Sequence, residues 1–586
     1  MARPGFLLPL LLLVPLAAAQ TPAAPDPRLR EARERIANED WAGAIELLEA
    51  RLAEGDDASA CLLLARALDG RGDWEAALSV LELAAEDATV GAQAHHAALK
   101  LCARNELVED ALAHLELALE QGFQGPLLLL NDPDLASLRE LDAFRALVPP
   151  LKPSSECFLE RPRILHTFYG EAPGDVFGWI GRDLGDADGD GRSDLLISAP
   201  FKALDGPSAG RIYVYSGATG ALLFTRDGSP GECLGIGIES AGDVNRDGHM
   251  DAIAGGIHNG LPNLPPGPGM AYVYSGKDGS TLLTLTRGVA NDELGRKVSG
   301  GVDFDDDGHP DVLVGAPGTG PDGRAPGSAF LFSGKDGSLL CELRGEQPGD
   351  LFGASNAVWE GKGRKLLALG AGNGGEGDRG AVSVHEWRDG KPVPRFTIEN
   401  DATGLALGGM FVAFVGDMTG DGISEVYASD WRNGANGSQS GRIYVHDGDT
   451  GARLFTLTGE RAGIGFGTCT ADVGDVTGDG LADLLVGAWQ AADGAPGGGK
   501  STLYAGGATA EALRVLATYT CSEPGETSGF DTTGVGDLDG DGGVDFLVTG
   551  GYSPVAGRRS GRCFVIAGPV SYGVSHFPPP AAGGGK

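Results

Sequence analysis

The chain has 586 residues, with 97 glycines, 34 prolines and a formal net charge of −36. That length exceeds one ordinary core, and so much glycine points to a large, turn-rich β portion beside a second domain. The charge argues against nucleic acid or an anionic membrane surface as partner, since both would repel it.

Residues 1–19 read as a secretory signal. Arg3 gives a positive start, Phe6 to Leu16 an apolar stretch, and Ala17-Ala18-Ala19 a small-residue cleavage site. The apolar run is short for a membrane span, and no comparable run follows it. The expectation is an exported chain (secreted, periplasmic or cell-surface) with no integral membrane segment after signal cleavage. An uncleaved N-terminal anchor is the other reading of the same residues.

Residues 20–150 are predicted to be all-α. Apolar residues recur there at helical spacing, and three segments match one another: Asn38-Glu39-Asp40-Trp41-Ala42-Gly43-Ala44, Arg71-Gly72-Asp73-Trp74-Glu75-Ala76-Ala77 and Asn105-Glu106-Leu107-Val108-Glu109-Asp110-Ala111. Small alanines allow close helix approach, and Trp41 and Trp74 are placed to fill the groove between neighbours. These segments resemble tetratricopeptide helix pairs, with a generic stack of helical hairpins as the alternative. Asp132-Pro133-Asp134 predicts a short capping helix with Leu138 and Phe144 on its apolar face. Pro149, Pro150 and Pro153 then predict a stiff linker over 151–162.

From residue 163 a nonapeptide recurs with oxygen side chains at positions 1, 3, 5 and 9 and glycine at position 6. Alternate carboxylates can converge on a hard cation, the position-7 carbonyl adds an oxygen, and glycine permits the turn. The candidate ligand sets, with position 7 acting through its backbone, are Asp186, Asp188, Asp190, Arg192 and Asp194; Asp243, Asn245, Asp247, His249 and Asp251; Asp303, Asp305, Asp307, His309 and Asp311; Asp417, Thr419, Asp421, Ile423 and Glu425; Asp475, Thr477, Asp479, Leu481 and Asp483; and Asp537, Asp539, Asp541, Gly543 and Asp545. Up to six Ca2+ ions are therefore expected. Position 12 is Ile197, Ala254, Val314, Ala428, Val486 or Val548, never the glutamate of an EF-hand, and a β run such as Leu195-Leu196-Ile197-Ser198 follows in place of a helix. The loops recur at roughly 58 residues, with one double interval between Asp303 and Asp417.

A second marker keeps the same phase. Phe177-Gly178, Leu234-Gly235, Leu294-Gly295, Gly408-Gly409, Phe466-Gly467 and Ser528-Gly529 begin nine residues before their loops, and Phe352-Gly353 falls inside the double interval. With Ala199-Pro200 and Gly315-Ala316-Pro317 downstream, this stretch resembles the FG-GAP repeat family, the calcium-binding β-propeller at the head of integrin α subunits. The resemblance implies a seven-bladed all-β propeller over 163–570. The fourth repeat has Gly361-Lys362-Gly363-Arg364-Lys365 in place of an acidic loop, so that blade is expected to bind no metal. The last repeat ends at Gly561-Arg562-Cys563-Phe564-Val565-Ile566 without an outer strand. Arg163-Ile164-Leu165-His166-Thr167-Phe168 can supply one and close the ring. Residues 571–586, rich in Pro and Gly, are expected to be a disordered tail.

Two enzyme-like motifs lack their setting. Gly494 to Ser501 fits a phosphate loop, yet a strand-like Thr502-Leu503-Tyr504-Ala505 follows where a helix is required. Gly206-Pro207-Ser208-Ala209-Gly210 fits a nucleophile elbow but falls in a hairpin loop. The His249 and His309 rings read as solvated. The eight cysteines permit disulfides, but spacing does not assign pairs. Phe201, Trp431, Trp489 and Tyr552 follow the second strand of their blades at the end opposite the metal loops, with Arg432 beside Trp431. They are candidate ligand-face residues, or else wedges between blades. The functional expectation is a non-enzymatic, exported calcium-binding interaction or adhesion-type protein whose propeller presents a protein- or glycan-binding face to an extracellular partner. The alternative is a calcium-dependent lyase or hydrolase of extracellular polysaccharide, which needs an acid and a base converging over the axial channel.

Overall fold

A computed structural model describes residues 27–568, apart from 56, 88–89, 124–125, 149, 205, 259–266, 288, 319, 321–322 and 470. The signal expected at 1–19 and the tail expected at 571–586 lie outside the described residues. The chain divides into two compact units, Met1–Leu151 and Lys152–Lys586.

The first unit is helical. Its helices are Pro27–Ala37, Trp41–Leu52, Ala58–Arg71, Trp74–Ala84, Gly91–Arg104, Val108–Glu120, Pro126–Asn131 and Asp142–Leu147. Asp40 and Asp57 cap their helices by accepting from the N–H groups of Gly43 and Ala60. Ala44, Leu48, Ala60, Ala65, Leu68, Ala77 and Leu81 form a continuous core of mainly small side chains. Trp41 lies over Gly70, where any Cβ would collide with its ring. Leu138 and Phe144 are buried in the last part of the unit, as the sequence pattern predicts. Asp132 starts only a single 3-10 turn, Pro133–Leu135, ahead of Asp142–Leu147.

The second unit is a seven-bladed propeller of antiparallel sheets. Blade 1 comprises Gly181–Gly185, Asp194–Ala199, Arg211–Tyr215 and Leu222–Asp227, hydrogen-bonded in that order. Blades 2 to 5 repeat this order over 237–286, 297–344, 352–399 and 412–458. Blade 6 has Leu484–Ala488, Lys500–Ala505 and Arg514–Thr520, with an inner segment held by bridges from Phe466 to Ala488 and from Asp472 to Leu484. Blade 7 joins Thr532–Gly534, Phe546–Gly550 and Arg562–Ile566 to Ile164–Tyr169, with Tyr169 opposite Arg562 and Ile164 opposite Ile566. The N-terminal strand thus closes the ring. In blade 4, Lys362-Gly363 makes a tight hairpin turn where the other blades carry the acidic loop.

Past their first residues the second strands are mainly apolar or small, because both of their faces are covered; Asp194–Ala199, Asp251–Gly256 and Asp311–Ala316 are wholly buried. The core lies in slots between blades. One cluster joins Val298 and Val314 to Ile253 and Val273, and another joins Leu195 and Ile197 to Leu547 and Val565. Close approach at each slot requires glycine. A Cβ on Gly210 would strike the Leu234 carbonyl of the next blade, and one on Gly561 would strike Phe177 across the closing seam. Gly269, Gly327, Gly380, Gly441 and Gly499 stand in the same relation to Leu294, Phe352, Leu407, Phe466 and Ser528.

This register corrects one sequence assignment. In blade 5 the marker pair is Leu407-Gly408, not Gly408-Gly409: Leu407 bridges Gly380, and the Gly408 N–H donates to Ser429. One extra residue separates marker and loop there. The stretch expected as a linker also differs. Residues 157–160 run along the outer strand of blade 6, with Leu159 N–H on Thr520 O at 2.9 Å, Glu160 accepting from Thr518 and Thr520, and Phe158 buried.

Candidate metal centres and the opposite face

Each acidic loop is wound around its own first carboxylate. In blade 1, Asp186 Oδ1 accepts from the N–H groups of Gly189 and Asp190 at 2.6 and 3.1 Å, and Oδ2 accepts from Gly191 at 2.9 Å. The position-6 glycine repeats that bond from Gly248, Gly308, Gly422, Gly480 and Gly542 to Asp243, Asp303, Asp417, Asp475 and Asp537.

The ninth position is an anchor inside the blade. Asp194 is fully buried; its Oδ2 accepts from Ala187 and Asp188, and its Oδ1 accepts from Gly217, in the turn between the third and fourth strands. Asp251, Asp311, Asp483 and Asp545 repeat this with Gly276, Gly334, Gly506 and Gly568, while Glu425 accepts from Met418 at 2.6 Å. Burial pushes the carboxyls of Asp194, Asp251, Asp311 and Asp545 up to about 6, and that of Glu425 to about 7. A desolvated carboxylate of this kind is stabilised by an adjacent cation.

Three loops bring three acidic oxygens within 4.8 Å of one another: Asp186, Asp188 and Asp194; Asp303, Asp305 and Asp311; and Asp537, Asp539 and Asp545. An all-oxygen, carboxylate-rich set fits a hard divalent cation, and these clusters can hold one. The other loops put Asn245, Thr419 or Thr477 at position 3. An outside cation approaches some of the position-5 acids: Lys277 lies 4.0 Å from Asp247, Lys335 3.5 Å from Asp307, and Arg163 3.6 Å from Asp541.

The His249 and His309 rings are not simply solvated, contrary to the sequence reading. His249 Nδ1–H donates to the Ala187 carbonyl of blade 1, and His309 Nδ1–H to the Val244 carbonyl of blade 2, each at 2.7 Å. Arg192 reaches the Asp537 and Leu538 carbonyls of blade 7. Lys365 of the loopless blade 4 donates to the Asp303 carbonyl and pairs with Asp306 at 2.5 Å. Successive loops are thereby tied to one another along blades 7, 1, 2, 3 and 4. Ile423, Leu481 and Gly543 offer no such hydrogen bond.

At the opposite end, the candidate ligand-face aromatics meet across blades. Ring centroids are 6.4 Å apart for Trp431 and Trp489, 5.6 Å for Trp489 and Tyr552, 5.5 Å for Trp489 and Phe530, 5.2 Å for Trp179 and Phe530, and 5.8 Å for Trp179 and Phe201. Trp431 and Trp489 are only 7% and 4% exposed, so both are packed between blades. Phe201, Arg432 and Tyr552 are half-buried and retain open surface, and Arg559 lies over the Tyr552 ring.

Sequence reasoning missed Trp179 and Phe530, although each directly follows a marker glycine. It also missed a charged run on the inner strands, Asp531, Arg182, Glu239 and Lys297. The signal that could have found it was a charge inside a short, otherwise apolar or small-residue strand.

A family model described as FG-GAP repeat matches residues 183–215 and 294–330, in blades 1 and 3. Integrin alpha-PS2 of Drosophila melanogaster is 32% identical over 174 residues, 24% of this chain and 12% of the relative. Integrin alpha-3 of Cricetulus griseus is 31% identical over 147 residues, 23% and 13% of the two chains. Integrin alpha-E of Mus musculus is 31% identical over 173 residues, 27% and 15%. The aligned stretches therefore span well under a fifth of these relatives.

Proposed function

Since the chain carries FG-GAP repeats on an integrin-α-like seven-bladed propeller, we propose that it is an exported, calcium-binding, adhesion-type interaction protein. The six loops would take Ca2+ as structural clamps between the first and second strands, through the side chains at positions 1, 3, 5 and 9 and the carbonyl at position 7. The opposite end of the disc would meet an extracellular protein or glycan, with Phe201, Arg432 and Tyr552 as its accessible anchors. Rigid strands that carry variable loops suit recognition, and aromatic and arginine side chains are common binding anchors. A binding role without catalysis agrees with relatives named as integrin α chains. Among the described residues, no helix is long and apolar enough to cross a membrane.

The observation that carries this reading is the loop geometry: first and ninth carboxylates held by backbone N–H groups, with acidic oxygens converging beside them. Bringing those charges together without a cation is unfavourable, so calcium should stabilise the folded state by mass action. Calorimetry in calcium and in chelator is the test, with titration giving the number of ions, up to six. A higher melting temperature in calcium is expected; identical melting in both overturns the proposal.

A further inference from the structure

The charged run on the inner strands is used neither by the metal loops nor by the aromatic end. Arg182 of blade 1 is 3% exposed and donates to Asp531 of blade 7 at 2.5 Å and to Glu239 of blade 2 at 2.9 Å. Lys297 of blade 3, 5% exposed, lies 4.0 Å from the same Glu239. First strands of propeller blades face the axis, so this arc lies along the channel.

The donors of the arc are incompletely satisfied. Arg182 Nη2 is buried without a hydrogen-bond partner, and the Lys297 ammonium stands beyond hydrogen-bond range of Glu239. An unmet buried donor of this kind is costly, so it calls for an acceptor. Asp183, Glu239 and Asp472 are half-buried on the same inner strands. Burial foremost, with the charges of Asp183 and Glu239 adding to it, raises the Asp472 carboxyl to about 6, so the three acids feel one another.

Ligand chemistry follows from that mixture. A cation would suit the three carboxylates but would be repelled by Arg182 and Lys297. An anion would suit those two donors but would face Glu239, Asp183 and Asp472 in a chain of net charge −36. A hydroxyl group both donates and accepts, so it can answer both needs. We propose that the axial channel binds a neutral polyhydroxylated ligand, a sugar unit. Its hydroxyl oxygens accept from Arg182 Nη2 and Lys297 Nζ, and its hydroxyl hydrogens go to Glu239, Asp183 and Asp472. None of these five residues is a candidate metal ligand or one of the rim aromatics.

The test titrates the full-length protein, in calcium, with glucose, galactose, mannose and N-acetylglucosamine, read by calorimetry and by saturation-transfer NMR. At least one sugar is expected to bind saturably, and binding should weaken about tenfold or more in Lys297→Gln and in Asp472→Asn. Both variants keep the Arg182–Asp531 pair, so their melting temperatures should stay near that of the parent. The proposal is overturned by no saturable binding of any of the four sugars, by binding unchanged in both variants, or by acetate or guanidinium binding that sugars do not displace. The calcium-induced rise in melting temperature is read on the same samples, so failure of the metal reading is seen separately.

Discussion

Asp190 and Asp194 are four residues apart in one loop and should fail in different ways. Asp190 is exposed, so Asp190→Ala should remove the calcium-dependent gain of blade 1 and leave the chelated protein unchanged. Asp194 is fully buried and accepts three backbone N–H bonds, so Asp194→Ala should cost roughly 2–4 kcal/mol even in chelator, because it orphans buried donors. Urea unfolding with and without calcium separates the two cases. The tryptophans make a second residue-scale contrast. At 7% and 4% exposure, Trp431 and Trp489 should each cost about 3–5 kcal/mol when cut to alanine, because a large cavity opens between blades. Arg432→Ala, by comparison, should leave the denaturation midpoint nearly unchanged. A partner that contacts this end should therefore be mapped through Phe201, Arg432 and Tyr552.

Within the helical unit, Gly91–Arg104 and Val108–Glu120 carry a buried imidazole pair. His95 Nδ1 and His114 Nδ1 are 3.0 Å apart, so at least one of the two must be unprotonated to accept. Burial lowers both pKa values from 6.5, and the mutual charge of the pair lowers that of His114 further, while Glu82 and Asp110 nearby act in the opposite direction. A base whose folded pKa is depressed contributes stability above its unfolded value and loses it as the pH falls below about 6.5. The helical circular dichroism of the parent should consequently melt earlier at pH 5 than at pH 7, and His114→Leu should flatten that dependence. An unchanged pH profile in the variant would show that other groups control the acid response.

For the whole propeller, the N-terminal segment of the second unit is the closure. Ile164–Tyr169 completes blade 7, and residues 157–160 lie against the outer strand of blade 6 before it. Truncation to Pro150 should leave propeller stability intact. Truncation to Arg161 should lower it by removing Phe158 and the Glu160 bonds. Truncation to Gly170 should lower it most, because it also strips the outer strand from blade 7 and leaves Arg562–Ile566 as a free edge. Denaturant midpoints of the three forms check the order, and equal midpoints would rule out closure by this strand.

The repeat period, the loop positions, the loopless fourth blade and the need for an outer strand in blade 7 were all determined by the sequence alone. Each depends on short-range chemistry: oxygen side chains at alternate positions, glycine at a tight turn, an apolar strand after it. The one-residue slip to Leu407-Gly408 was not readable, because only the bridge to Gly380 in the preceding blade sets that register. Tertiary structure likewise decided that His249, His309 and Lys365 tie neighbouring loops, that Trp431 and Trp489 are packed inside, and that Arg182 meets Asp531 and Glu239. The physical reason is shared. These side chains touch only across blades, and Asp531 and Arg182 become neighbours only because the ring closes between its last blade and its first.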